Sequence, residues 1–158
     1  MSTVATKINT DAILEDVGEI LNRRVTRDEK LFAVCELLDD HVDVFNWTGF
    51  YLPDPEGKDE LVIGPYVGER TDHTRIPYGK GICGQVAESH NTFLVDDVSR
   101  QENYLACSLN VKSELVVPIM KEQQFVGQLD IDSHTVNAFT KNHVELIEEI
   151  CKLLSKEF

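Results

Sequence analysis

Two cysteines stand in segments of small residues outside the regular apolar pattern, and together they suggest thiol redox chemistry. Cys83 lies in Pro77-Tyr78-Gly79-Lys80-Gly81-Ile82-Cys83-Gly84, and Cys107 in Tyr104-Leu105-Ala106-Cys107-Ser108-Leu109-Asn110. The thiolate is the nucleophilic form of cysteine, and backbone N–H groups at the start of a helix stabilise it, which suits Cys83 in a glycine-rich turn before a short helix. Cys107 sits where a small molecule can reach it. The competing reading is an inert thiol, because reactivity depends on a local pKa that sequence does not report. The two can form a disulfide if their Cα atoms approach within about 7 Å.

Asp130 and Asp132 are two apart in Leu129-Asp130-Ile131-Asp132-Ser133. On a strand their side chains share one face, while Leu129 and Ile131 take the other. Neighbouring carboxylates resist ionising together, so one is expected to hold a proton near neutrality and can serve as a general acid. A solvated strand end is the alternative for the same spacing. Glu114, opening the preceding strand, can add a third carboxylate to the same mouth. Trp47, Gly49 and Tyr51 share a strand face opposite Phe50. The two rings are either core aromatics or pocket walls, since each carries a polar handle that wants a partner. His73 reads as a surface histidine. A zinc site from His73, Cys83 and Cys107 lacks a close-spaced ligand pair, and no metal is expected. Gly79-Lys80-Gly81 has neither the spacing nor the preceding strand of a phosphate loop.

These residues need a scaffold, and the apolar pattern outlines one. Ile13, Leu14, Val17, Ile20 and Leu21 recur at helical spacing. Thr26-Arg27-Asp28-Glu29 has the form of a capping box ahead of the stripe Leu31, Val34, Cys35, Leu38 and Val42. From Asn46 to Leu52 the pattern changes to strand-forming residues, and Pro53-Asp54-Pro55-Glu56-Gly57 is a turn from which Leu61 to Val67 returns as a hairpin partner. A short helix over 82–89 and a brief strand, Phe93-Leu94-Val95, follow the glycine-rich loop. Glu114 to Met120 and Phe125 to Asp132 form a second hairpin, in which Pro118 removes a ladder donor and marks a bulge or an edge. Thr140 caps a last helix with the stripe Val144, Ile147, Cys151 and Leu154, and Phe139 is placed to staple onto Val144. Cys35 and Cys151 therefore read as core. The order predicts an α+β fold: a central antiparallel sheet with N- and C-terminal helices packed on one face. A single domain over 1–158 is expected, with helices in 1–45, the sheet and active-site segment in 46–133, and the C-terminal helix in 140–157.

Composition limits the partners. The 158 residues are 42% apolar and carry 28 acidic against 15 basic side chains, a net charge of −13. Such a field repels phosphate backbones and anionic membranes, so neither nucleic acid nor a membrane is an expected partner. Met1 to Thr10 is polar, and no stretch approaches the about 18 apolar residues of a membrane span. The expected compartment is the cytoplasm, where thiols stay reduced. The four cysteines are accordingly not read as structural staples, and a disulfide there is transient and catalytic.

The combined pattern is similar to a known family. Asn46-Trp47-Thr48-Gly49-Phe50-Tyr51-Leu52, Ile63-Gly64-Pro65-Tyr66, Arg75-Ile76-Pro77 with Gly79-Lys80-Gly81-Ile82-Cys83-Gly84, Ala106-Cys107, Ser113-Glu114-Leu115-Val116-Val117-Pro118 and Leu129-Asp130-Ile131-Asp132-Ser133 resemble the free methionine-(R)-sulfoxide reductases, a branch of the GAF-domain fold. The match runs from about Asn46 to Ser133. The resemblance implies a homodimeric enzyme that reduces the R epimer of free methionine sulfoxide, with no cofactor beyond an external dithiol such as thioredoxin. It puts Cys107 on the family's catalytic cysteine and Cys83 on one of two further cysteines, the other falling at His73. Glu114, Asp130 and Asp132 fall on substrate-binding carboxylates, and Trp47 and Tyr51 on pocket aromatics. On this reading Cys107 attacks the sulfoxide sulfur and an acidic group protonates the departing oxygen. The resulting sulfenic acid condenses with Cys83, and thioredoxin reopens the Cys83–Cys107 disulfide. The other class of reading is a GAF module that binds a small ligand or senses redox state without turnover.

Overall fold

The computed structural model describes residues 9–101 and 110–158. Along the chain come α1 (Thr10–Leu21), α2 (Arg27–His41), β1 (Trp47–Pro53), β2 (Glu60–Val67), β3 (Arg75–Pro77), α3 (Gly81–Ser89), β4 (Phe93–Val95), β5 (Ser113–Lys121), β6 (Gln124–Ser133) and α4 (Lys141–Leu154), with short 3-10 turns at Val98–Arg100 and Ser155–Glu157. Side chains take up free N–H groups at three helix starts. Asn9 Oδ1 accepts from Ala12 N and Thr26 Oγ1 from Glu29 N, each at 3.1 Å. At α4, Thr140 Oγ1 accepts from His143 N at 3.2 Å while His143 Nδ1 accepts from Thr140 N at 3.0 Å, a reciprocal cap with histidine in the place usually held by Glu or Gln. Burial holds the His143 ring below its ordinary pKa, so that Nδ1 is free to accept.

The strands form one antiparallel sheet in the order β3-β2-β1-β6-β5-β4. Both predicted hairpins are present, and pairing of β1 with β6 joins them, setting Trp47 opposite Asp132, Gly49 opposite Asp130 and Tyr51 opposite Gln128. The sequence pattern does not predict β3, because three residues ending in proline are too few to show an alternation. Pro118 marks both a free edge and a nearby bulge. The last β4 pairing is Phe93 with Val116, Pro118 lies beyond it, and the register shifts between Ile119 and Met120.

The pleat divides the apolar residues into two layers. On one face Phe50, Leu115, Val117, Ile119, Leu129 and Ile131 pack against α1, α2 and α4, with Cys35 and Cys151 buried among them. On the other face Trp47, Tyr51 and Val116 pack against Ile82, Cys83 and Val86 of α3 in a second layer. The α+β architecture is as the sequence predicts, with the terminal helices on one face; α3 covers the opposite one.

Candidate active site

Strand register brings the acidic residues together. Glu114 stands directly opposite Asp132, and Asp130 pairs with Val116, two positions along from Glu114. All three carboxyls are buried beneath α3, with 3%, 1% and 0% of Glu114, Asp132 and Asp130 exposed. Removal from water opposes ionisation of Glu114 and Asp130. Glu114 is pushed well above the usual carboxyl range, first by burial, then by the charges of Asp130 and Asp132, and then by its hydrogen bonds to both. Burial raises Asp130 as well, but hydrogen bonds from Glu114 and Cys83 pull it back. The proton therefore resides on Glu114, which donates, while Asp130 accepts.

Cys83 occupies the first turn of α3, where its thiol donates to Asp130 Oδ2 at 3.3 Å. A glycine loop makes this placement possible. Gly79 and Gly81 have φ of +87° and +63°, in the left-handed region that favours glycine. Gly79 N donates to Gly84 O at 2.8 Å, and Gly84 N donates to Lys80 O at 2.9 Å. A Cβ on Gly84 would lie 2.5 Å from the carbonyl oxygen of Pro77, so the close approach of α3 to the end of β3 requires glycine. From the sheet, Gln128 Nε2 donates to Cys83 O at 3.2 Å and ties the helix to β6.

The aromatic pair is buried and stacked, with Trp47 and Tyr51 centroids 6.3 Å apart and Tyr66 lying 5.2 Å from Trp47 on the outer side. Their polar handles hold a loop. Trp47 Nε1 donates to Glu69 O at 3.0 Å, and Tyr51 Oη donates to His73 O at 2.9 Å. This fixes the 69–73 segment beside the carboxylates, where His73, Ile76, Lys80, Gly81, Ile82, Cys83, Glu114 and Asp130 line a narrow cleft. Its free space is about 10 Å3, room for one water molecule.

This site lies in a recognisable setting. The GAF domain family pattern matches residues 26–158. The chain is 30% identical to the free methionine-R-sulfoxide reductase of Saccharomyces cerevisiae over 164 residues, covering 96% of this chain and 89% of that one. The chain belongs to the GAF domain family, in its free methionine-R-sulfoxide reductase group. Among solved structures of that group, the reduced form of fRMsr from Staphylococcus aureus superposes with a TM-score of 0.88 at 34% identity, covering 99% of each chain. The free methionine-R-sulfoxide reductase from Neisseria meningitidis, in complex with its substrate, gives 0.87 at 32% identity, covering 94% of this chain and 87% of that chain.

Within this GAF domain the structure gathers Cys83, Glu114, Asp130 and Asp132 into one buried cluster and sets Trp47 and Tyr51 beside it. Cys107 lies outside the described residues. The flanking Val98 and Val111 are both buried in the layer that holds Cys83. Two participants escape the sequence reading. Gln128 shares its face with Asp130, two positions on, so the same alternation could have found it. His73, read as a surface residue, is half-buried and lines the cleft. A thiol and two carboxylates converge as well: Cys83 Sγ, one Glu114 oxygen and one Asp130 oxygen lie within 4.8 Å of one another. Among the described residues no helix is long and apolar enough to cross a membrane.

Proposed function

We propose that this chain reduces free methionine-(R)-sulfoxide to methionine. The observation that carries the reading is the buried cluster of Glu114, Asp130 and Asp132, in which Asp130 accepts from the Cys83 thiol at 3.3 Å and burial favours a protonated Glu114. The Cys107 thiolate attacks the sulfoxide sulfur and forms an S–S bond, and a proton from the Glu114, Asp130 and Asp132 set goes to the oxygen. The S–O bond to methionine and the S–S bond then break as the protonated oxygen passes to the Cys107 sulfur. Methionine leaves and Cys107 becomes a sulfenic acid. Condensation with the Cys83 thiol expels water and forms a disulfide. An external dithiol such as thioredoxin then reduces it by exchange, its own two thiols becoming a disulfide.

The same carboxylates suit the ammonium group of a free amino acid, which a residue within a peptide lacks. The narrow cleft requires the 73–82 wall to move outward before an amino acid enters, and Trp47 and Tyr51 act through their hold on that wall and by shape. A homodimer in the cytoplasm, recycled by thioredoxin, belongs to the same reading. Incubating the protein with R and S epimers of free methionine sulfoxide and dithiothreitol tests it. Consumption of the R epimer alone, lost in Cys107→Ser, is the expected result; binding without consumption would establish a sensing module in its place.

A further inference from the structure

The Cys83, Glu114 and Asp130 side chains come from three separate elements, α3, β5 and β6, held by sheet register and by the glycine loop. Their polar atoms lie within 4.8 Å of one another, and Cys83 Sγ is 3.3 Å from Asp130 Oδ2. A thiolate sulfur and a carboxylate oxygen bound to one tetrahedral zinc ion, at about 2.3 and 2.0 Å, stand about 3.5 Å apart. The pair already has nearly that spacing. A second observation points the same way: Asp130 Oδ1 is fully buried, and no donor from outside the cluster reaches it. Buried acceptors are satisfied in the great majority of cases, and a carboxylate that draws its donors only from a neighbouring thiol and a second carboxyl suits a cation.

We propose that Cys83, Glu114 and Asp130 form a binding site for a divalent cation of the zinc type, with the fourth position open to the cleft that His73 lines. On binding, the Cys83 thiol and the Glu114 carboxyl release their protons to solvent, and three anionic ligands face the two charges of the ion. One thiolate with two carboxylates favours zinc and its neighbours over magnesium or calcium, which take oxygen ligands. The site departs from the metal-free expectation of the sequence. It engages the carboxylates and the thiol that the proposed reaction uses, so cation and methionine sulfoxide exclude each other. The geometry alone carries this site, and cation binding can be read without turnover, so its failure and that of the reductase reading are separate results.

The probe is Co2+ titrated into reduced, desalted Cys107→Ser protein, in which Cys35 and Cys151 are buried in the helical layer. The expected result is a thiolate-to-cobalt charge-transfer band that saturates at one ion per chain and disappears when Zn2+ is added. Replacing Cys83 by Ser or by Ala in the same background abolishes the band, with circular dichroism verifying the fold of each variant. Glu114→Gln or Asp130→Asn weakens binding by at least about tenfold. Absence of the band, or its survival in both folded Cys83 variants, overturns the proposal.

Discussion

A buried carboxyl that keeps its proton ties stability to pH in the sense opposite to a salt-bridged surface acid. Above the ordinary Glu value of 4.5, the folded chain retains a proton on Glu114 that the unfolded chain has released. This contribution is fully present below 4.5 and is lost as pH rises through the raised folded value; Asp130 acts in the same direction above 3.8. Glu114→Gln keeps a neutral hydrogen-bonding group, so its stability relative to the parent protein is expected to rise with pH. Urea unfolding at pH 5 and at pH 8 measures this, and an advantage that shrinks toward pH 8 contradicts it. The same variant is expected to turn over on the order of 10²-fold more slowly, the usual cost of removing a general acid. Alternation over 129–133 is enough to place Asp130 and Asp132 on one face. Whether that face is wet depends on α3, whose docking is decided by a glycine 46 positions from Asp130 in Gly84, and the sequence pattern does not encode that distance. The roles of Glu69 and His73 are equally hidden, since each is engaged through a main-chain carbonyl by a ring 22 positions earlier in the chain.

At the scale of the element, α3 and its glycine loop set the position of the thiol. Gly84→Ala drives a Cβ against Pro77 O at 2.5 Å and Gly79 N at 3.1 Å. Backbone atoms cannot step aside as a flexible side chain can, so the helix must lift from the end of β3. The expected cost is about 1–3 kcal/mol, with turnover reduced because Cys83 leaves Asp130. Thermal melting and kcat check it together, and an unchanged protein by both measures refutes the docking argument. The longer elements are legible because their stripes are long: α2 shows its apolar stripe over four turns and β6 alternates from Gln128 to Ser133. β3 escapes notice for the opposite reason. Its three residues are a strand only because Leu61 and Ile76 face each other across a tertiary pairing.

For the molecule as a whole, an excess of 13 negative charges works against compactness. The seven ion pairs among the described residues are mostly at the surface, where each contributes little. Screening of the self-repulsion is therefore expected to outweigh the weakening of these pairs, and the melting temperature is expected to rise between about 50 mM and about 500 mM NaCl. A fall over that range would assign the surface pairs the larger share. The sheet order adds a consequence of another kind. Beyond Val116, β5 has no neighbour on its outer side among the described strands, and such a bare run of main-chain groups is a template for fibril growth. Pro118 withholds one donor from that run, and Lys121 caps its end by donating to the main-chain oxygen of Phe158. A proline that breaks the ladder thus serves as a gatekeeper against amyloid-like stacking of one copy on the next.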